Sequence, residues 1–89
     1  MPDREVTIVN RRGLHARAAA KFVKLASGFD AKVVVEKEGV RVSGLSIMGL
    51  LMLAASPGSQ VRIETEGSAA EEALTALAAL IDGGFDERD

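Results

Sequence analysis

The chain contains one histidine, His15, and its position predicts a site for an anion. His15 stands directly before an alanine-rich stretch with helical periodicity, so its imidazole is expected among the unpaired N–H groups at a helix start. Such N–H groups, with the positive end of the helix dipole, bind phosphate in many proteins. Imidazole, with an ordinary pKa of about 6.5, serves as acid, base or nucleophile near neutral pH. The alternative is an ordinary surface histidine.

The charge around His15 strengthens this hypothesis. Its neighbourhood contains several basic side chains and no acidic one: Arg11, Arg12, Arg17, Lys21 and Lys24. The protein as a whole has a net charge of −2, and its C-terminal third is rich in acidic residues. Basic residues on a helix are often only its solvated face, which is the alternative reading. The asymmetry favours a basic surface that docks an acidic protein partner or a phosphorylated group.

Length and composition exclude several classes of protein. With 89 residues the chain is predicted to form one domain over residues 1–89, with a loose acidic tail from Phe85 and above all at residues 86–89. Cysteine is absent and histidine occurs once, so neither a disulfide framework, a metal site nor a cofactor is expected. Net charge and the absence of Tyr and Trp argue against nucleic-acid binding. No apolar run approaches the roughly 20 residues that span a bilayer, so we expect a cytoplasmic monomer without membrane insertion.

Short periodic patterns predict the elements that position His15. Alternation of apolar and polar side chains predicts four strands, at residues 4–9, 32–37, 40–43 and 60–66. Apolar residues that recur every three or four positions predict helices at residues 16–27 and 47–53 and in a final segment that ends before Gly83. Each strand has one polar face, which favours an antiparallel sheet with helices on one side. The sequence therefore predicts an α+β fold, a two-layer open-faced sandwich with the order β-α-β-β-α-β-α.

The residues at the helix starts differ in kind. The first helix has no Ser, Thr, Asp or Asn cap, so the N–H groups of Ala16 and Arg17 are expected to remain for a ligand or for water. Ser46 is expected to cap the second helix. Ser68 and Glu71 form a capping-box pattern at the third.

The second helix contains more apolar side chains than two turns can readily bury: Ile47, Met48, Leu51 and Met52. Because adjacent pairs project onto different faces, some of them are expected to be exposed. Flexible methionine side chains suit a surface that docks more than one partner. The alternative is that all four belong to a small core.

Two segments resemble the histidine-containing phosphocarrier family, HPr, of bacterial phosphotransferase systems. Residues 13–19, Gly-Leu-His-Ala-Arg-Ala-Ala, resemble its active-site signature. Residues 45–50, Leu-Ser-Ile-Met-Gly-Leu, resemble its regulatory serine segment at the matching distance, and the similarity extends over nearly the whole chain. Ala18 departs from the pattern, because the family usually has proline there; some nitrogen-related and proteobacterial members share the departure.

The resemblance implies a phosphoryl carrier with the sheet order 1-4-2-3 and three helices on one face. His15 would accept a phosphoryl group on Nδ1 from enzyme I, which draws it from phosphoenolpyruvate, and would pass it to an enzyme IIA-type protein. Arg17 would stabilise the phosphoryl charge, and the N–H groups of Ala16 and Arg17 would donate to its oxygens. Ser46 would be modified by HPr kinase/phosphorylase. The sequence does not decide between a sugar-uptake pathway and a nitrogen-related regulatory one, and Ala18 favours the latter.

Two other functions remain as alternatives. An independent enzyme could use His15 as a general base, but the sequence offers no nucleophile, carboxylate pair, metal cluster or glycine-rich nucleotide loop beside it. A regulatory domain that binds a ligand without chemistry would keep its binding when His15 is replaced.

Overall fold

The structure, a computed structural model that describes residues 1–87, contains four strands and three α-helices in the order β-α-β-β-α-β-α. The strands are β1 (Asp3–Thr7), β2 (Lys32–Lys37), β3 (Val40–Ser43) and β4 (Gln60–Glu66). The helices are α1 (Ala16–Ala26), α2 (Ile47–Met52) and α3 (Ala70–Asp82), and a short 3-10 helix, Gly84–Asp86, follows. No helix within residues 1–87 combines the length and apolarity needed to cross a membrane.

The four strands form one antiparallel sheet in the order β1-β4-β2-β3. Ile63 of the central strand β4 lies opposite Arg4 of β1 and Val35 of β2. The predicted α+β fold and the strand order 1-4-2-3 are therefore confirmed. The β2–β3 hairpin also has the predicted bounds, with Glu38 and Gly39 at its turn.

The core lies between the inner face of the sheet and the helices. The strands contribute Val35 and Ile63, and α1 and α3 contribute Phe22 and Leu77; all four are almost completely buried. Alanines make up much of the buried stripe of α1, which contacts both α2 and α3. Because alanine side chains are small, α1 lies close to its neighbours and carries His15 at its start against the body of the protein.

The outer face of the sheet is charged and faces solvent. Arg41 donates to Glu64 at 2.8 Å and to Glu36 at 3.0 Å, and Arg62 donates to Asp3 at 3.0 Å. The hydrogen bonds from Arg41 hold the pKa of the Glu64 carboxyl below its usual value. This pairing is typical of an antiparallel sheet that is packed on one face and solvated on the other.

Several predicted boundaries and caps are wrong. Strand β1 ends at Thr7, before the predicted 9, because Ile8 already pairs with the turn at Gly58 and Ser59. Helices α1 and α2 each end one residue earlier than predicted. The capping box at α3 does not form: Ala69 occupies the N-cap position, and the Ser68 hydroxyl donates to the Asp30 carboxylate instead.

The prediction of a loose tail is wrong for Phe85–Glu87. Phe85 is completely buried, because its ring completes the core below α1 and α3. The Lys21 ammonium donates to the Phe85 carbonyl at 2.6 Å, and the Glu87 N–H donates to the carbonyl of Gly84 at 3.1 Å. The last two residues, 88 and 89, lie outside the described residues.

Candidate functional site

The loop before α1 places His15 at the start of the helix. The Leu14 N–H donates to the Ala55 carbonyl at 2.9 Å, and the Leu14 side chain is buried. Gly13 has a φ of +65°, and a Cβ atom there would lie 2.5 Å from the Ala55 carbonyl oxygen. Only glycine fits this close approach without strain. The loop therefore fixes the backbone from which the imidazole projects.

His15 is itself the N-cap of α1, with extended backbone angles and a half-buried side chain. Its Nδ1 accepts a hydrogen bond from the Arg17 N–H at 3.3 Å. The N–H groups of Ala16 and Arg17 were both expected to lack an acceptor within the protein. For Arg17 this expectation is wrong, because the imidazole caps the helix by accepting its N–H. The N–H of Ala16 makes no hydrogen bond within residues 1–87.

The other ring nitrogen of His15 contacts a carboxylate from the far end of the chain. Nε2 lies within hydrogen-bond distance of Glu87 Oε2, while Glu87 Oε1 accepts from the Asn10 amide at 3.0 Å. The hydrogen bonds from His15 and Asn10 lower the pKa of Glu87 below its ordinary value of 4.5. Glu87 therefore stays ionised at neutral pH, and its contribution to stability is lost only as the pH falls through that lowered pKa.

These two contacts define the tautomer of the neutral imidazole. An ionised carboxylate can only accept, so Nε2 must carry the proton that it donates to Glu87. Nδ1 must then be unprotonated, which agrees with its accepting the Arg17 N–H. At 3.3 Å that hydrogen bond is longer than the usual range, so the Nδ1 lone pair is only weakly engaged.

The basic residues around His15 take two different positions. The side chains of Arg11, Arg12, Arg17 and Lys24 are exposed and form no ion pair within residues 1–87. Lys21 instead points to the C-terminal segment and binds the Phe85 carbonyl. Arg17 lies in the first turn of α1, two residues beyond His15. The site thus presents several cationic side chains to solvent beside a partly exposed imidazole.

The second predicted site lies at the start of α2. Ser46 caps this helix as expected, and its hydroxyl accepts the Gly49 N–H at 2.9 Å. Among the four apolar residues, Met48 and Met52 are 70% and 75% exposed and Ile47 is 39% exposed. Leu51 is half-buried and packs against the core. We call Ile47, Met48 and Met52 the α2 apolar patch.

Sequence reasoning missed Asn10 and Glu87. Asn10 is buried, and its amide also donates to the Gly13 carbonyl at 2.7 Å, so it links the loop before α1 to the C-terminal segment. Glu87 is 72 positions away from His15 along the chain. No local pattern predicts a contact at that separation. The sequence offered two weak signals, the polar Asn10 directly after Ile8 and Val9 and the apolar Phe85 in the acidic C-terminal segment.

Comparison with known proteins agrees with this arrangement. Residues 2–83 match the sequence family described as PTS HPr component phosphorylation site. The chain is 50% identical over 88 residues to phosphocarrier protein HPr of Pseudomonas putida, covering 98% of both chains. It is 45% identical over 83 residues to phosphocarrier protein NPr of Escherichia coli K12, covering 92% of both.

A solved structure gives the same result. HPr-C-His from Thermoanaerobacter tengcongensis superposes on the chain with a TM-score of 0.95 at 43% identity, covering 100% of both chains. Sequence and fold therefore give the same result, and the chain belongs to the HPr family of phosphocarrier proteins of the phosphotransferase system.

Proposed function

We propose that this chain is a cytoplasmic phosphoryl carrier that accepts a phosphoryl group from enzyme I on His15 and passes it to an enzyme IIA-type protein. The observation that carries the proposal is the partly exposed imidazole at the start of α1, whose Nδ1 accepts the Arg17 N–H. A carrier needs a nucleophile that is neutral near pH 7 and forms a bond labile enough for onward transfer, and imidazole meets both needs.

The residues next to His15 support the reaction. When Nδ1 attacks phosphorus, the long hydrogen bond from Arg17 N–H is free to move to a phosphoryl oxygen. The N–H of Ala16 is a second backbone donor at the same helix start. The exposed Arg17 guanidinium can pair with the remaining oxygens in a forked geometry. We assign these three donors to stabilisation of the charge on the phosphoryl group.

We propose that Ile47, Met48, Leu51 and Met52 of α2 contribute to docking, with the α2 apolar patch as its exposed part. Helix α2 packs against α1, which carries His15, so one partner surface can cover both. A carrier must release each partner after transfer, which suits a small apolar patch with flexible methionines.

The proposal is tested by incubating the purified chain with enzyme I and phosphoenolpyruvate. Intact-mass analysis should then find one added phosphoryl group, which mild acid removes. Adding an enzyme IIA-type protein should return the chain to its original mass. No modification with active enzyme I, or turnover of a small substrate without it, would contradict a carrier function.

Arg17→Ala should slow phosphoryl transfer to and from His15 without affecting the fold. A hydrogen bond to a charged group contributes about 1.5–3 kcal/mol, so the expected loss of rate is about 10- to 150-fold. Rapid-quench measurement of phosphorylation by enzyme I provides the rate. Arg12→Ala is the matched control, because Arg12 is also an exposed arginine near His15. Equal rates for wild type and Arg17→Ala would refute the role of Arg17.

We further propose that Ser46 is a regulatory phosphorylation site. Its hydroxyl lies at the start of α2, where the N–H groups of the first turn can also donate to phosphate oxygens. Modification would therefore leave the fold intact. It would add about −1.5 to −2 charges beside the α2 apolar patch, opposing a partner whose complementary surface is apolar or acidic.

Phosphorylation of Ser46 by an HPr kinase/phosphorylase and ATP should reduce the rate of His15 phosphorylation at subsaturating enzyme I. The expected reduction is about 5- to 150-fold, the usual range for coupling between two sites. Ser46→Ala should block the modification, and Ser46→Asp should reproduce part of the effect. If stoichiometrically modified protein keeps the unmodified rate, Ser46 is only a helix cap.

A further inference from the structure

The C-terminal segment is held against His15 by three independent contacts. The Phe85 ring is completely buried in the core, and the Lys21 ammonium binds the Phe85 carbonyl at 2.6 Å. The Asn10 amide binds one Glu87 oxygen at 3.0 Å, which leaves the other oxygen for His15. The Glu87 side chain is only 13% exposed. The buried Phe85 and the Asn10 amide thus fix the position of Glu87 against the imidazole.

Two features of this segment and its partner Asn10 are energetically unfavourable: the backbone angles at Phe85 and an unsatisfied polar atom of Asn10. Phe85 has a φ of 57°, in the left-handed region that bulky side chains avoid, and Asp86 follows in the same region at 59°. The buried Asn10 directs its amide to Gly13 and Glu87, and its side-chain oxygen has no partner within residues 1–87. Local strain and an unsatisfied polar atom are features that cluster at functional sites.

We propose that Glu87 is a positioning residue that keeps the proton on His15 Nε2 and stabilises the positive charge that develops on the ring during phosphoryl transfer. This inference rests on the proposed function. In the transfer, the Nδ1 lone pair forms the N–P bond, and the bond from phosphorus to the donor breaks with its electron pair leaving on the donor. The proton stays on Nε2, so the ring becomes cationic beside the Glu87 carboxylate.

The same contact serves the reverse step. When an acceptor attacks phosphorus, the N–P electron pair returns to Nδ1 and the ring becomes neutral again, still protonated at Nε2. In the Ser-His-Asp triad, an ionised carboxylate likewise orients an imidazole and stabilises its cationic form during acyl transfer. Asn10 acts one step further away, because it holds the Glu87 carboxylate in place.

The test compares Glu87→Gln with Asp86→Asn, which removes the same charge from the adjacent, exposed residue. With enzyme I at saturation, Glu87→Gln should slow phosphorylation of His15 by about tenfold or more, with little change in KM, because the stabilised charge develops only during transfer. Asp86→Asn should transfer at the wild-type rate. A docking role for Glu87 would instead raise KM at an unchanged maximal rate.

Nitrogen-15 NMR of the unphosphorylated chain provides the second measurement. The wild type and Asp86→Asn should show a hydrogen-bonded proton on Nε2 that exchanges slowly with solvent, and Glu87→Ala should lose that protection while the amide spectrum stays folded. An unprotected Nε2 proton in the wild type overturns the inference. So does a wild-type transfer rate in Glu87→Gln. If the wild-type chain is not phosphorylated by enzyme I at all, the proposed function fails first, and the inference fails with it.

Discussion

His15→Ala should abolish phosphorylation of the chain by enzyme I and phosphoenolpyruvate. The variant removes the only imidazole in the sequence, which is the proposed nucleophile. Intact-mass analysis should find unmodified protein after an incubation in which the wild type is fully modified. The substitution lies outside the core, so circular dichroism should show a folded chain.

Ser46→Ala is the control for this experiment. It removes the second candidate phosphorylation site and should still accept an acid-labile phosphoryl group at the wild-type level. An undiminished acid-labile modification in His15→Ala would place the phosphoryl group elsewhere and disprove the assignment. An acid-stable modification that Ser46→Ala abolishes would assign the reaction to the serine.

Phe85→Ala should destabilise the protein by about 3–5 kcal/mol, because it empties a space that a completely buried aromatic ring fills. That is a large part of the roughly 5–15 kcal/mol by which natural domains are stable. Urea unfolding followed by circular dichroism measures the change. The substitution should also release Glu87 from His15, because the ring anchors the segment that carries the carboxylate.

Two further variants define the expected range. Phe85→Leu keeps an apolar side chain in the site and should retain most of the stability. Met52→Ala truncates a side chain that is 75% exposed and should change the free energy of unfolding by less than about 0.5 kcal/mol. If Phe85→Ala is as stable as Met52→Ala, the ring does not belong to the core.

The sequence was sufficient for features that depend on neighbouring residues. Alternation along β2 and β4 follows from one buried face. The turn at Glu38 and Gly39 lies between the patterns of β2 and β3. Ser46 was recognisable as a cap because the serine immediately precedes an apolar helix. At α3 the same reasoning failed, because Ser68 finds a stronger partner in Asp30, which is 38 positions away in the chain.

The site was predictable only on its N-terminal side. His15 and Arg17 are two residues apart, so both belong to the same helix start, where the Arg17 N–H reaches the His15 ring. Glu87 reaches His15, and Asn10 reaches Glu87, only after the sheet and α3 have formed, and these contacts have no sequence pattern. The acidic residues at the C-terminus suggested a solvated tail, because a charged side chain is usually exposed unless it has a hydrogen-bond or ion-pair partner. The buried Phe85 in the same segment was the contrary signal.

The paired charges on the outer face of the sheet have a consequence for how the molecule approaches its partners. Opposite charges held about 3 Å apart produce a field that cancels within a few ångströms, and salt screens the remainder within about 8–10 Å. The exposed cations near His15 form no such pairs within residues 1–87, so their field extends further into solvent. A partner with an acidic docking surface would therefore experience a torque that turns the His15 end toward it, before any apolar surface is in contact.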